Sequence, residues 1–117
     1  MSNFQHLREE IAERLTAAGL TEVTLDPRGQ APMVLVDAPS SVTRTNAGAT
    51  WDVTVPVRVI HPPPGNTEAL TWLLDQLASA LLAVGGDDAR TTTYDLSDKA
   101  HPAYTFDVVE TMVTPCP

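Results

Sequence analysis

The chain is short of four things, and each shortage excludes something. It has one cysteine, Cys116. A single thiol makes neither an internal disulfide nor a thiolate metal cluster, so cysteine usage gives no argument for an oxidising compartment. Aromatic residues are only 5% of the 117. The core must therefore be built from Val, Leu, Ile and Ala through many small contacts, and assembly is a ready source of further stability. Basic residues are scarce, with 7 Lys and Arg against 15 Asp and Glu, for a formal charge of −8. A surface of that sign repels phosphate backbones and argues against sequence-reading nucleic-acid binding, though not against lying beside DNA without gripping it. Long apolar runs are missing too: none approaches the roughly 18 residues of a membrane span. The opening "MSNFQHLREE" has no basic n-region and no apolar h-region, so no signal peptide is expected.

The residues that carry catalysis are also thinly spread. The histidines are His6, His61 and His101, and no H-x-x-x-H, C-x-x-C or H-x-E spacing joins them to other ligands. His61 and His101 each precede a proline at the end of a strand-like run, where solvent-facing loop histidines are expected. No G-x-S-x-G nucleophile turn occurs. Cys116 lies between Pro115 and Pro117 on a short tail, 114–117, a poor place to hold catalytic geometry. Gly85-Gly86 closes a helical pattern, whereas a phosphate-cradling glycine run opens one. Asp87-Asp88 reads as a solvated turn. The expectation is no catalytic residue, no cofactor, no metal, and no enzyme.

What the chain does have is pattern. At 117 residues, with 43% hydrophobic residues, it has room for one domain and one core. Residues 3–18 form an amphipathic helix, with Phe4, Leu7, Ile11, Leu15 and Ala18 on one face. Ser2 is placed to cap its start and Gly19 to stop it in a left-handed turn. Residues 21–25 make a short strand. "MVLVD" (33–37) is a continuous apolar run, as in a strand buried on both faces. Residues 38–50 are small and polar and read as a long flexible loop, in which Arg44 is the only charge.

"WDVTVPVRVI" (51–60) alternates cleanly, with Trp51, Val53, Val55, Val57 and Val59 on one face. Pro56 cannot donate to a ladder, so it belongs at an edge, at a bulge, or where pairing is interrupted. Three prolines, Pro62 to Pro64, stiffen the exit. A second helix spans 67–84, capped by Asn66 or Thr67 and closed by Gly85-Gly86. Its apolar stripe is Leu70, Leu73, Leu74, Leu77, Ala78, Leu81 and Val84. Residues 90–96 and 103–113 form a closing antiparallel hairpin. The order α-β-β-β-α-β-β predicts a single α+β domain with a mostly antiparallel sheet and both helices on one face.

Binding has three candidate places. On the second helix, Trp72 falls among Glu68, Asp75, Gln76 and Ser79 on the polar side. An indole there either packs on its own chain, over the proline junction, or meets a partner. In the 38–50 segment, Arg44 either pairs with an acidic patch of a neighbouring copy or is solvated. Pro56 marks a place where a neighbour can approach. The candidate contact residues are therefore Arg44, Pro56, Trp72, Asp75 and Gln76.

Taken in order, these features resemble the tail terminator proteins of long-tailed bacteriophages, also described as minor tail or tail-completion proteins. The resemblance rests on the opening amphipathic helix, "PMVLVDAP", the long polar loop, "WDVTVPVRVIHPPP", "TEALTWLLDQLASALLAV" and the ending "PAYTFDVVETMV". The proline-rich, threonine-rich, acidic composition resembles products of phages of actinobacterial hosts. What the resemblance implies is a virion protein of the tail–neck region, assembled in the host cytoplasm. It implies a homo-hexameric ring that caps the tail tube, halts its growth and joins it to the head connector. The tail-tube protein and head–tail connector proteins would be its partners, with genomic DNA passing through the lumen without sequence-specific binding. An acidic lumen suits that passage. A neighbouring neck or head–tail joining protein is the nearest alternative. A small dimeric α+β ligand-binding or enzyme domain is the alternative of a different class.

Overall fold

Val53, Val55, Val57 and Val59 are all fully buried, and the long strand that carries them organises the fold. The computed structural model describes residues 3–45, 50–63, 66–96 and 98–113. Its elements are α1 (Asn3–Ala17), β1 (Val23–Thr24), β2 (Met33–Val36), β3 (Ser41–Arg44), β4 (Thr50–Ile60), α2 (Thr67–Val84), β5 (Asp87–Leu96) and β6 (Lys99–Val113). The expectations on Ser2, Pro64 and Cys116 lie outside the described residues. The protein is a single α+β domain in the expected order, with one strand more than the sequence pattern announced.

The sheet runs β1-β2-β4-β6-β5, and β3 shares the β2 edge of β4. Every pairing is antiparallel except β1 with β2. β4 and β6 pair without a slip from Thr50↔Val113 to Ile60↔Ala103. At about 3.3 Å per residue, strands of this length set the long axis of a molecule measuring 47 × 29 × 22 Å.

Both helices cover one face. Leu7, Ile11 and Leu15 of α1 and Leu73, Leu77, Ala80 and Val84 of α2 meet Val34, Val36, the four β4 valines, Phe106 and Val108. Each such aliphatic side chain stabilises by about 1.5–3 kcal/mol when fully buried. The opposite face holds a smaller cluster, Met33, Leu35, Ile60 and Ala103, under Ala31, Tyr94 and Leu96. The segment before β2 folds over this cluster, held by Tyr94 Oη donating to Pro27 O at 3.3 Å. Hence Met33–Val36 is buried on both sides, as its unbroken apolar run predicts.

Three expectations need correction. Residues 38–50 are not loop throughout, because Ser41–Arg44 pair with Trp51–Thr54 as β3. The closing hairpin turns more tightly than expected: β6 begins at Lys99, so His101 is a strand residue and buried, not a loop histidine in solvent. Pro56 sits inside the sheet and is buried, not at a free edge. The third reading for Pro56 does hold. β2 leaves the β4 ladder at Val36 and β3 joins it at Ser41, so pairing on that edge is interrupted beside Pro56.

Candidate functional site

α2 is the element with most to offer a partner, and its local sequence explains its bounds. Asn66 is its N-cap, its side chain accepting from Ala69 N at 2.9 Å. Gly85 ends it at φ +66°, with its N–H on Leu81 O. Between them the apolar residues spread over more than half of the helical wheel. A helix lying on a sheet buries only one side, and here that side is Ala69, Leu73, Leu77, Ala80 and Val84. Of the rest of the expected stripe, Leu81 is half-buried against the core, whereas Leu70 and Leu74 are nearly half exposed and Ala78 is exposed. Leu82, which the expected stripe did not include, is 89% exposed.

Leu70, Leu74, Ala78 and Leu82 form one i±4 ridge, the row that packs into grooves of other helices and surfaces. Beside it stand Glu68 and Asp75, both exposed. α2 carries no lysine or arginine. Its outer face is therefore acidic and leucine-rich together.

Trp72 takes the first of its two expected readings. It is half-buried, its ring centroid lies 5.5 Å from that of His61 at an interplanar angle of 58°, and it packs on the main core. The His61 Nδ1–H donates to Pro62 O at 2.9 Å, which fixes the imidazole against the proline segment. Asp75 is exposed and Gln76 half-buried on the same helix. Arg44 is exposed on β3, with its guanidinium 5.6 Å from the Trp51 ring centroid. Pro56 is buried and offers no contact surface. The five candidate residues therefore divide between α2 and the β3–β4 edge and do not form one site.

The face of the sheet away from the helices carries a polar network that residue patterns did not announce. Arg58 Nε donates to Asp37 Oδ2 at 2.9 Å and Arg58 Nη1 to Thr105 Oγ1 at 3.3 Å. Thr105 and Thr92 hydroxyls lie 2.9 Å apart, and the guanidinium sits 5.7 Å from the Tyr94 ring centroid. Burial pushes the Tyr94 phenol above its ordinary value, Asp37 adds to the rise, Arg58 opposes it, and Asp26 contributes a smaller upward push. All these groups are engaged with one another, which suits a structural role on a half-covered sheet face.

Two clefts flank these surfaces. One, of about 410 Å³, lies between Leu70 and Leu73 of α2 and Thr91 and Tyr104 of the β5–β6 pair. The other, also about 410 Å³, opens on the far side of the sheet between Arg28, Lys99 and His101. Among the described residues no three His, Cys, Asp or Glu side chains gather as a metal site. No helix among them is long and apolar enough to cross a membrane. No known family model matches the chain, and comparison with curated proteins gives no match.

Sequence reading missed Arg8, Arg58 and the ridge at Leu82. Leu82 had a legible signal: it is nine residues from Leu73, which at about 100° per residue puts it opposite the core side. Arg58 and Arg8 had none, because Asp37 and Thr105, which accept from Arg58, and the Leu25, Val36 and Asp37 carbonyls, which accept from Arg8, are remote in the chain.

Proposed function

We propose that this protein is a structural assembly protein, the ring-forming tail terminator of a long-tailed bacteriophage. In this reading six copies close into a ring on the tail tube, stop its growth and present a face to the head connector. DNA passes through an acidic lumen that does not hold it.

The observation that carries the assembly reading is the exposed ridge of α2. A monomer gains nothing by holding Leu82 in water at 89% exposure, with Leu70 and Leu74 close by on the same row. Contiguous apolar surface with a polar rim is the mark of a protein–protein contact. The choice of a tail terminator among assembly proteins rests on the resemblance of the ordered sequence features. The absence of a converging nucleophile, base and donor set among the described residues favours neither assembly role over the other.

The test is sedimentation velocity of the purified chain, alone and with the tail-tube protein of the same genome, followed by electron microscopy. A closed ring of six chains, or one formed only on tube ends, is the expected result. Rings that bind connector but not tube would assign the chain to the neck. A stable dimer that takes a metabolite into the cleft beside Leu70 would overturn the proposal in favour of a ligand-binding domain.

A further inference from the structure

Most of the basic side chains have partners within the molecule. Arg14 pairs with Glu10 and Glu110, Arg58 with Asp37, and Arg90 with Asp88 and Asp107. Arg8 is taken up by backbone carbonyls and Gln5, and Arg44 lies over Trp51. That leaves two. Among the described residues, the side chains of Arg28 and Lys99 meet no carboxylate or carbonyl.

These two cations come from distant parts of the chain and line the same cleft. Its walls include Ala31, Pro62 and Leu96, and among the described residues no acidic residue lines it. His101, 9% exposed, completes the lining, with its Nδ1–H committed to Lys99 O at 3.0 Å. In a chain with 15 acidic residues and 7 basic ones, a cleft lined by two cations and no acid is an exception that needs a reason. Its apolar wall with a cationic rim is the complement of the α2 outer face, which has a leucine ridge, Glu68 and Asp75, and no cation.

We infer that the cleft of Arg28 and Lys99 receives the α2 outer face of a second copy of this chain, with Glu68 and Asp75 of that copy against the two cations and Leu82 toward Ala31, Pro62 and Leu96. The inference rests on the assembly reading and names the two surfaces that meet. α2 covers one face of the sheet, while Leu96 and His101 line the cleft from the other. The two surfaces are therefore different patches on opposite sides of one molecule. A contact between unlike patches is head-to-tail, the kind that builds a ring when its repeated rotation closes. A two-fold dimer would instead place like patches together.

A charge swap tests this in the full chain. Arg28→Glu with Lys99→Glu makes one variant, and Glu68→Lys with Asp75→Lys makes the other; all four positions are exposed, so both should fold, as circular dichroism will check. Each variant alone should associate at least ~100-fold more weakly than the wild type, because like charges then face one another. The equimolar mixture should regain the ring, with the two variants alternating, because each cleft then meets a helix of opposite sign. If the wild type assembles and the Arg28/Lys99 variant assembles equally well, the inference fails while the ring reading stands. Failure of the mixture to recover has the same consequence. A wild type that stays monomeric both alone and with tube protein removes the ring reading and this inference together.

Discussion

The Asp37 N–H donates to Pro56 O at 3.0 Å, and the return bond of that antiparallel pair cannot form because Pro56 has no N–H. The Asp37 carbonyl is taken by Arg8 Nε of α1 at 3.1 Å. Arg8 Nη2 reaches Leu25 O and Val36 O, each at 2.9 Å. One guanidinium thus closes three backbone carbonyls where the β1, β2 and β4 ladders stop.

Arg8 is therefore expected to matter more than a helix-surface arginine should. Arg8→Met keeps the aliphatic stem and leaves those carbonyls to partial hydration, at a cost of about 2 kcal/mol in folding stability. Arg8→Lys should recover less than half of that, because an ammonium lacks the planar fork. Urea unfolding of the two variants checks both numbers, and a loss below 0.5 kcal/mol for Arg8→Met removes the role.

Trp72 now belongs to the monomer. Trp72→Ala is expected to cost about 2 kcal/mol, below the range for a fully buried aromatic because the indole is only half-buried. His61→Ala should cost less than about 1 kcal/mol. The double variant should show a coupling of about 0.5–1 kcal/mol between the rings, and additivity within error would mean that they do not interact.

Gly85 and Gly86 look alike in sequence and should respond differently to alanine. Gly85 sits at φ +66° with open space where a Cβ would go, so Gly85→Ala meets only the left-handed backbone penalty of about 1 kcal/mol. A Cβ on Gly86 would fall 1.9 Å from Phe106 Cδ2, and Phe106 is fully buried. Gly86→Ala should therefore cost at least about 2 kcal/mol, through displacement of that ring. Thermal unfolding of the pair tests the order.

Tyr94 links folding stability to alkaline pH. Its phenol is raised above 10.0 chiefly by burial, and then by Asp37. Above the unfolded-state value the unfolded chain has lost this proton while the folded chain still holds it. Stability is then lost as pH rises from the unfolded value through the higher folded one. Tyr94→Phe should flatten that decline. Absorbance titration of a Tyr104→Phe variant, which leaves Tyr94 as the only tyrosine, should place the phenol above its value in the unfolded chain.

Much of the fold was legible in the chain because its signals are local. The start of α2 is written in Asn66 and its end in Gly85, and the alternating β4 valines announce a half-buried strand. β3 was not legible. "SVTR" has no strong strand pattern of its own, and it is a strand because Trp51–Thr54 lie alongside it. The candidate surface was half legible: Asp75 and the leucines could be placed on α2, but not which leucines the sheet would leave outside.

By itself the sequence determined the two helices, the β4 core strand, the acidic charge and the shortage of catalytic groups, since each depends on residues a few positions apart. Only the tertiary structure decided that Trp72 rests on His61, that Pro56 is interior, that Gly86 makes room for Phe106, and that Arg28 and Lys99 share a cleft. Those are distances between segments far apart in the chain, and no local period encodes them.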